Sequence, residues 1–255
     1  MFDWTLFTLL LYIIMRMTGF VIFSPVFGRR GIPVWGQLGF ALSLAALVYS
    51  TTRQTPAVPV TVLEFSLHAL LELSVGMALS MIMRFFFYIA DQAGEILDSQ
   101  MGLSMGKNYD PGSQSNMTNT GNMLNTLMLL LFFAEGGHYT LLRMMLTSGE
   151  IIPYGSVRPG SELAERAVLL FAECALLAVK LALPILSAEL MGQVGMGILM
   201  KVNPQLNVFA LNIEVKILIG LSMLLLLLSP MTRFLLEAET EMLKALRLML
   251  GLMAP

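Results

Sequence analysis

The chain has 255 residues, 56% hydrophobic and only 13% charged, with a net charge of −2 and a mean hydropathy of +0.77. Soluble domains carry about 25% charged residues, so an ordinary soluble domain is excluded, and without a basic excess so is a nucleic-acid binder. The single Cys174 rules out an internal disulfide.

Apolar stretches recur along the whole length with no polar block set apart, which reads as one integral membrane unit. The start, Met1-Phe2-Asp3-Trp4, lacks the basic residues of a secretory signal. The first apolar run is therefore expected to remain as a helix. That helix should run from Trp4 to Phe23 and stop before Pro25, with Gly28-Arg29-Arg30-Gly31 as the turn behind it. Pro33 opens a second segment, Val34 to Tyr49, whose 16 residues fall short of the ~20 that cross a bilayer upright.

A third helix is expected from Thr61 to Ala90, continuing through Asp91, Glu95 and Asp98 before breaking near Gly102 and Gly106. The stretch from Lys107 to Asn122, rich in Gly, Ser and Asn, reads as loop. A fourth helix follows from Met123 to Leu146, interrupted chemically by Glu135-Gly136-Gly137-His138. Pro153 to Gly160 is a linker, and Ser161-Glu162-Leu163-Ala164-Glu165 reads as a capped helix start. The helix it opens is bent by Pro184, and Lys201 to Gln205 is a tight turn. The last strong helix, Leu206 to Ser229, should end at Pro230, with an amphipathic tail behind it. No strand pattern competes, so the class is all-α.

The apolar helices carry charges that lipid would not tolerate. Arg16, Glu64, Glu72, Arg84, Glu95, Asp98, Glu135, Glu173, Lys180, Glu189, Glu214 and Lys216 all lie within them. Each would cost roughly 2.5–3.5 kcal/mol at a bilayer centre on insertion scales. Either one bundle pairs these groups internally, or neighbouring proteins supply the counter-charges. Asp91, Glu95 and Asp98 stand at i, i+4 and i+7, one face of one helix. That face wants water or basic residues from elsewhere. The 21 methionines include local sets such as Met77, Met81 and Met83, read either as apolar filler or as compliant seals between subunits.

Signals for chemistry are weak. His68 and His138 lie in different segments without metal-ligand spacing. His68 with Glu64 and Glu72 at four-residue spacing reads first as a packed helix face and second as a proton-sensitive patch. Gly192-Gln193-Val194-Gly195-Met196-Gly197 has the wrong glycine order for a nucleotide loop and no strand before it, so it reads as helix packing or a helix break. Neither a phosphate-binding loop nor a nucleophile elbow appears. No enzyme activity, metal or cofactor is expected.

The block Gly94-Glu95-Ile96, then Gln100-Met101-Gly102-Leu103-Ser104, then Asp110-Pro111, strongly resembles the FliR family, the export-gate subunits of flagellar type III secretion. Arg16, Ser24-Pro25-Val26, Arg30-Gly31-Ile32-Pro33 and Asn203-Pro204-Gln205-Leu206-Asn207-Val208-Phe209 resemble it in the same order, so the match covers essentially the whole chain.

The resemblance implies assembly with FliP-like and FliQ-like subunits, and an FlhB-like subunit alongside, into a helical gate. Unfolded flagellar proteins are the exported substrates, and the gate belongs to the inner membrane within the flagellar basal body. It further implies a FliP-like part, residues 1–160, and a FliQ-like hairpin with C-terminal tail, residues 161–255. The family's pore plug maps to the loop at 106–122, on Gly106, Lys107, Asn108, Tyr109, Asp110, Pro111, Gly112, Ser113, Gln114, Ser115, Asn116, Met117 and Asn119. Gln100, Met101 and Met105 are assigned to lining or sealing the pore. Arg16, Arg84, Glu95, Asp98, Glu214 and Lys216 are assigned to charge contacts between subunits, with Glu95 and Asp98 alternatively facing the pore vestibule. The rival readings are a homologous virulence injectisome subunit and, from another class, a proton-coupled secondary transporter.

Overall fold

The computed structural model describes residues 4–29, 31–52, 54, 59–103, 118–157, 160–202 and 208–254. Among them the chain is all-α, with helices α1 (Trp4–Phe23), α2 (Val34–Thr51), α3 (Val62–Gln100), α4 (Asn119–Ala134), α5 (Gly137–Ile151), α6 (Ser161–Val202) and α7 (Val208–Leu252). Five of these, α1, α2, α3, α6 and α7, are long and apolar enough to cross a membrane.

Several sequence expectations need correction. The second segment, expected to fall short of a span, extends to Thr51 and counts among the membrane-length helices, and the loop expected through Asn122 gives way to α4 at Asn119. The single helix expected over Met123–Leu146 is two helices, because Gly136 adopts φ 71° and opens the path between α4 and α5. The last helix does not end at Pro230 but runs through it to Leu252. Apolar helices tolerate an internal proline when neighbouring groups take up the freed backbone. Pro184 is likewise carried inside the 42-residue α6.

The chain forms two compact units, Met1–Phe86 with Phe133–Phe171 and Glu239–Pro255, and Phe87–Phe132 with Ala172–Ala238. In the first, α1 packs along α2 and crosses α3 at backbone contact. A methyl group on Gly76 would run into the Arg16 carbonyl, and one on Gly19 into the Leu73 carbonyl. The same α3 face ties up the end of α1. The Ser80 hydroxyl donates to the Phe20 carbonyl at 2.6 Å, and Arg84 Nε to the Phe23 carbonyl at 2.7 Å.

Arg16 sits at the centre of this unit, fully buried. Its Nε pairs with Glu72 Oε2 at 2.6 Å. The rest of the guanidinium donates to Ser148 Oγ at 3.3 Å and to the Ile152 carbonyl at 3.1 Å. The Tyr154 ring lies under it, 4.2 Å from guanidinium carbon to centroid. Burial pushes the Tyr154 phenol above its usual value against the pull of Arg16, so the ring stays neutral as a cation platform. Glu72 uses its other oxygen to accept the Gly155 backbone N–H at 2.8 Å. Arg16 therefore finds its counter-charge inside its own chain, which corrects its assignment to a contact between subunits. A group this deeply desolvated would be untenable without such pairing.

His68 packs its ring near Tyr12, 6.3 Å between centroids, while Glu72 is committed to Arg16. The packed-face reading of His68 is the one this arrangement supports.

Candidate functional site

The polar segment leaves one helix and returns to another, and both ends are described. α3 delivers Asp91, Gly94, Glu95 and Asp98 at helical spacing, then ends in Gly102 at φ 77°. This left-handed conformation closes helices and favours glycine. On the return side Thr118 stands just before α4 and its hydroxyl oxygen accepts the Gly121 N–H at 3.2 Å. That is the geometry of an N-cap, satisfying a backbone donor left free in the first turn.

Asp98 completes the joint. It is almost fully buried. Its Oδ2 accepts the Thr120 backbone N–H at 3.0 Å, and its Oδ1 accepts the Thr120 hydroxyl. A carboxylate set against the first turn of a helix also meets the positive end of the helix dipole. Two turns earlier on α3, Asp91 Oδ1 accepts from Asn125 Nδ2 at 2.7 Å. Between these two tethers Gly94 and Gly121 face one another so closely that a methyl on Gly94 would collide with the Gly121 backbone. The two feet of the segment are thus fixed to each other by one backbone contact and two carboxylate clamps.

Of the sequence-assigned residues, Asp98 is spent inside the chain on neutral donors, which corrects its assignment to a charge contact between subunits or to the vestibule. Glu95 points away on an exposed face, with Gln92 Nε2 donating to its Oε2 at 3.3 Å. Arg84 is exposed and bound to the Phe23 carbonyl. Glu214 is exposed and Lys216 half-buried on α7. Gln100 is half-buried at the end of α3, whereas Met101 is fully buried. Asn119 is the first residue of α4. Met105 and the loop residues 106–117 lie outside the described residues.

Met101 is held by something sequence reasoning missed. Its thioether lies against Gly220 of α7, and a methyl there would strike the Met101 sulfur and the Glu189 Oε1. Glu189 of α6 is fully buried, with neither carboxylate oxygen in a hydrogen bond of normal geometry. Nearby, Gly192 lets the Ile219 side chain of α7 come close, while Gly195 and Gly197 meet nothing within 4 Å. The first glycine of that triplet is a packing glycine, as expected. A signal for Gly220 did exist, since it is the one glycine inside the apolar run Ile217–Leu228. Among the described residues no group of His, Cys, Asp or Glu could hold a metal ion.

Fold and site together define a helical membrane protein whose main polar feature is a segment slung between two clamped helix ends. Residues 7–242 match the model of the bacterial export proteins, family 1, and the chain belongs to that family. It is 27% identical over 215 residues to the flagellar biosynthetic protein FliR of Bacillus subtilis, covering 83% of each chain. Against FliR of Aquifex aeolicus identity is 30% over 202 residues, covering 79% of this chain and 78% of the relative. Yop proteins translocation protein T of Yersinia pestis is 28% identical over 180 residues, covering 70% of this chain and 69% of the relative.

Proposed function

We propose that this chain is a structural and gating subunit of the flagellar type III export channel, through which unfolded flagellar proteins cross the inner membrane. The observation that carries the reading is the family match over residues 7–242, joined to a polar segment whose two ends are fixed together. FliP-like, FliQ-like and FlhB-like subunits are its proposed partners, with residues 1–160 as the FliP-like part and 161–255 as the FliQ-like hairpin and tail. The flagellar basal body is its proposed place, and its role is conduction rather than catalysis.

In this reading residues 106–117 with Asn119 form the plug, and Gln100, Met101 and Met105 seal around it. A plug must stop ions yet yield to a passing chain, so its feet should hold firm while its middle binds weakly. The clamped Asp98–Thr120 joint supports the first requirement. Glycines and short polar side chains in the segment support the second. Exposed apolar side chains such as Leu218, Leu225 and Leu226 on α7 need lipid or neighbouring helices to cover them. Arg84, Glu95, Glu214 and Lys216 remain proposed charge contacts to those neighbours.

Deleting residues 113–117, which spares the Thr118 cap, tests the plug. The expected outcome is a lowered membrane potential in secreting cells while export continues, read with a potential-sensitive dye. An unchanged potential with intact export would sink the plug. The likeness to Yop proteins translocation protein T favours an injectisome subunit as second reading. Restoring motility to a flagellar strain that lacks its own subunit, and not secretion to an injectisome strain, separates the two.

A further inference from the structure

We propose that a recess between α5 and the C-terminal turns of α7, lined by Arg143 and Arg247, binds the head group of an acidic phospholipid. The recess encloses about 280 Å³ and lies wholly within the first compact unit. One face of α5 supplies Thr140, Arg143, Met144 and Thr147 at three- and four-residue spacing, and α7 supplies Arg247 and Leu250.

The charge here is unmet. No acidic residue lines the recess, and among the described residues neither guanidinium has an ion-pair or hydrogen-bond partner. That contrasts with Arg16, saturated by a carboxylate, a hydroxyl, a carbonyl and a ring. The Thr140 hydroxyl is also unspent among the described residues, while Thr147 donates back to the Arg143 carbonyl at 3.0 Å. Two guanidinium forks and a free hydroxyl around one space match the oxygens of a phosphodiester, which accepts paired N–H donors.

The rest of the lining is not that of a bare anion site. Leu250 is buried at its wall and Met144 half-buried, so the occupant must offer apolar surface next to its negative charge. A phospholipid does so, and five helices of the chain are long and apolar enough to meet a bilayer. Arginines that reach from apolar helix stems to head groups are a recurrent arrangement, and basic pockets between helices take acidic head groups. At 15 residues α5 is shorter than a bilayer span, which suits an element held at head-group level.

The test uses the full chain purified in mild detergent and stripped of lipid, titrated with labelled phosphatidylglycerol, with phosphatidylcholine, and with inorganic phosphate as competitor. Phosphatidylglycerol should bind at least about tenfold more tightly than phosphatidylcholine, a preference of about 1.4 kcal/mol. Millimolar phosphate should not displace it. Arg143→Gln with Arg247→Gln should abolish the preference, and the two lysine replacements should keep part of it, with thermal unfolding unchanged in both. Both arginines are exposed, so each single glutamine change serves as a folding-safe repeat, with about half the loss. Equal binding of the two lipids overturns the proposal, as does complete displacement by phosphate, which would mark a free-anion site. Loss of accompanying proteins from the double variant with the lipid preference intact also overturns it, because the recess would then be a protein contact.

Discussion

The Arg16 cluster and the joint beneath the polar segment both bury a carboxylate inside apolar helices, but they satisfy it differently. Glu72 receives a full positive charge from Arg16 and a backbone N–H from Gly155. Asp98 receives only the amide and hydroxyl of Thr120, with the end of a helix dipole behind them. The first arrangement is a closed ion pair that fixes α1, α3 and the stretch after α5 in one geometry. The second holds two helix ends without spending a cation. A third acid, Glu189, has no partner at normal hydrogen-bond geometry among the described residues, with only the more distant influence of Lys216 and the Gly220 backbone. One joint is thus closed by opposite charge and the other by dipoles.

Replacing Glu72 is the strongest way to break this contrast. Glu72→Gln leaves Arg16 buried without its counter-charge and should cost roughly 3–5 kcal/mol, read as a large drop in the thermal midpoint of the detergent-purified chain. The paired change Arg16→Met with Glu72→Leu should recover much of that loss, since apolar replacements of similar size remove the stranded charge. A smaller effect is expected at the crossing of α3 and α4. Gly94→Ala forces a methyl against the Gly121 backbone and should cost about 1–3 kcal/mol, with faster limited proteolysis between residues 103 and 118. The smallest effect belongs to Glu189→Gln, an acid-to-amide change like that at Glu72. With no ion pair to lose, it should leave the thermal midpoint unchanged or raised by the equivalent of about 1 kcal/mol. A loss there as large as at Glu72 would erase the distinction.

Much of the helix layout was legible because it is written locally. Trp4–Phe23 is bounded by its own apolar run and Pro25, and the structure returns the same limits. Gly136 and Pro230 were misjudged in opposite directions. Gly136 needed a positive φ to split a helix, which composition does not reveal, and Pro230 is carried inside the long α7 by helix-forming residues on both sides. Charge partners were the hardest to read, because they are set by helix crossings rather than spacing. Arg16 and Glu72 are 56 residues apart, and nothing in the sequence links them. The spacing of Asp91 and Asp98 did place them on one side of α3, yet among the described residues Asp98 is met by the neutral Thr120 of α4 and not by the cation that the pattern demands.

The contact of Gly94 with Gly121 has a mechanical consequence. Because the two main chains touch, tension on whatever is strung between residues 103 and 118 loads the crossing itself, with no long side chains to stretch first. The anchorage behaves as a rivet, holding the end of α3 and the start of α4 at one fixed separation. Two residues without side chains thus decide how closely the two helices are joined.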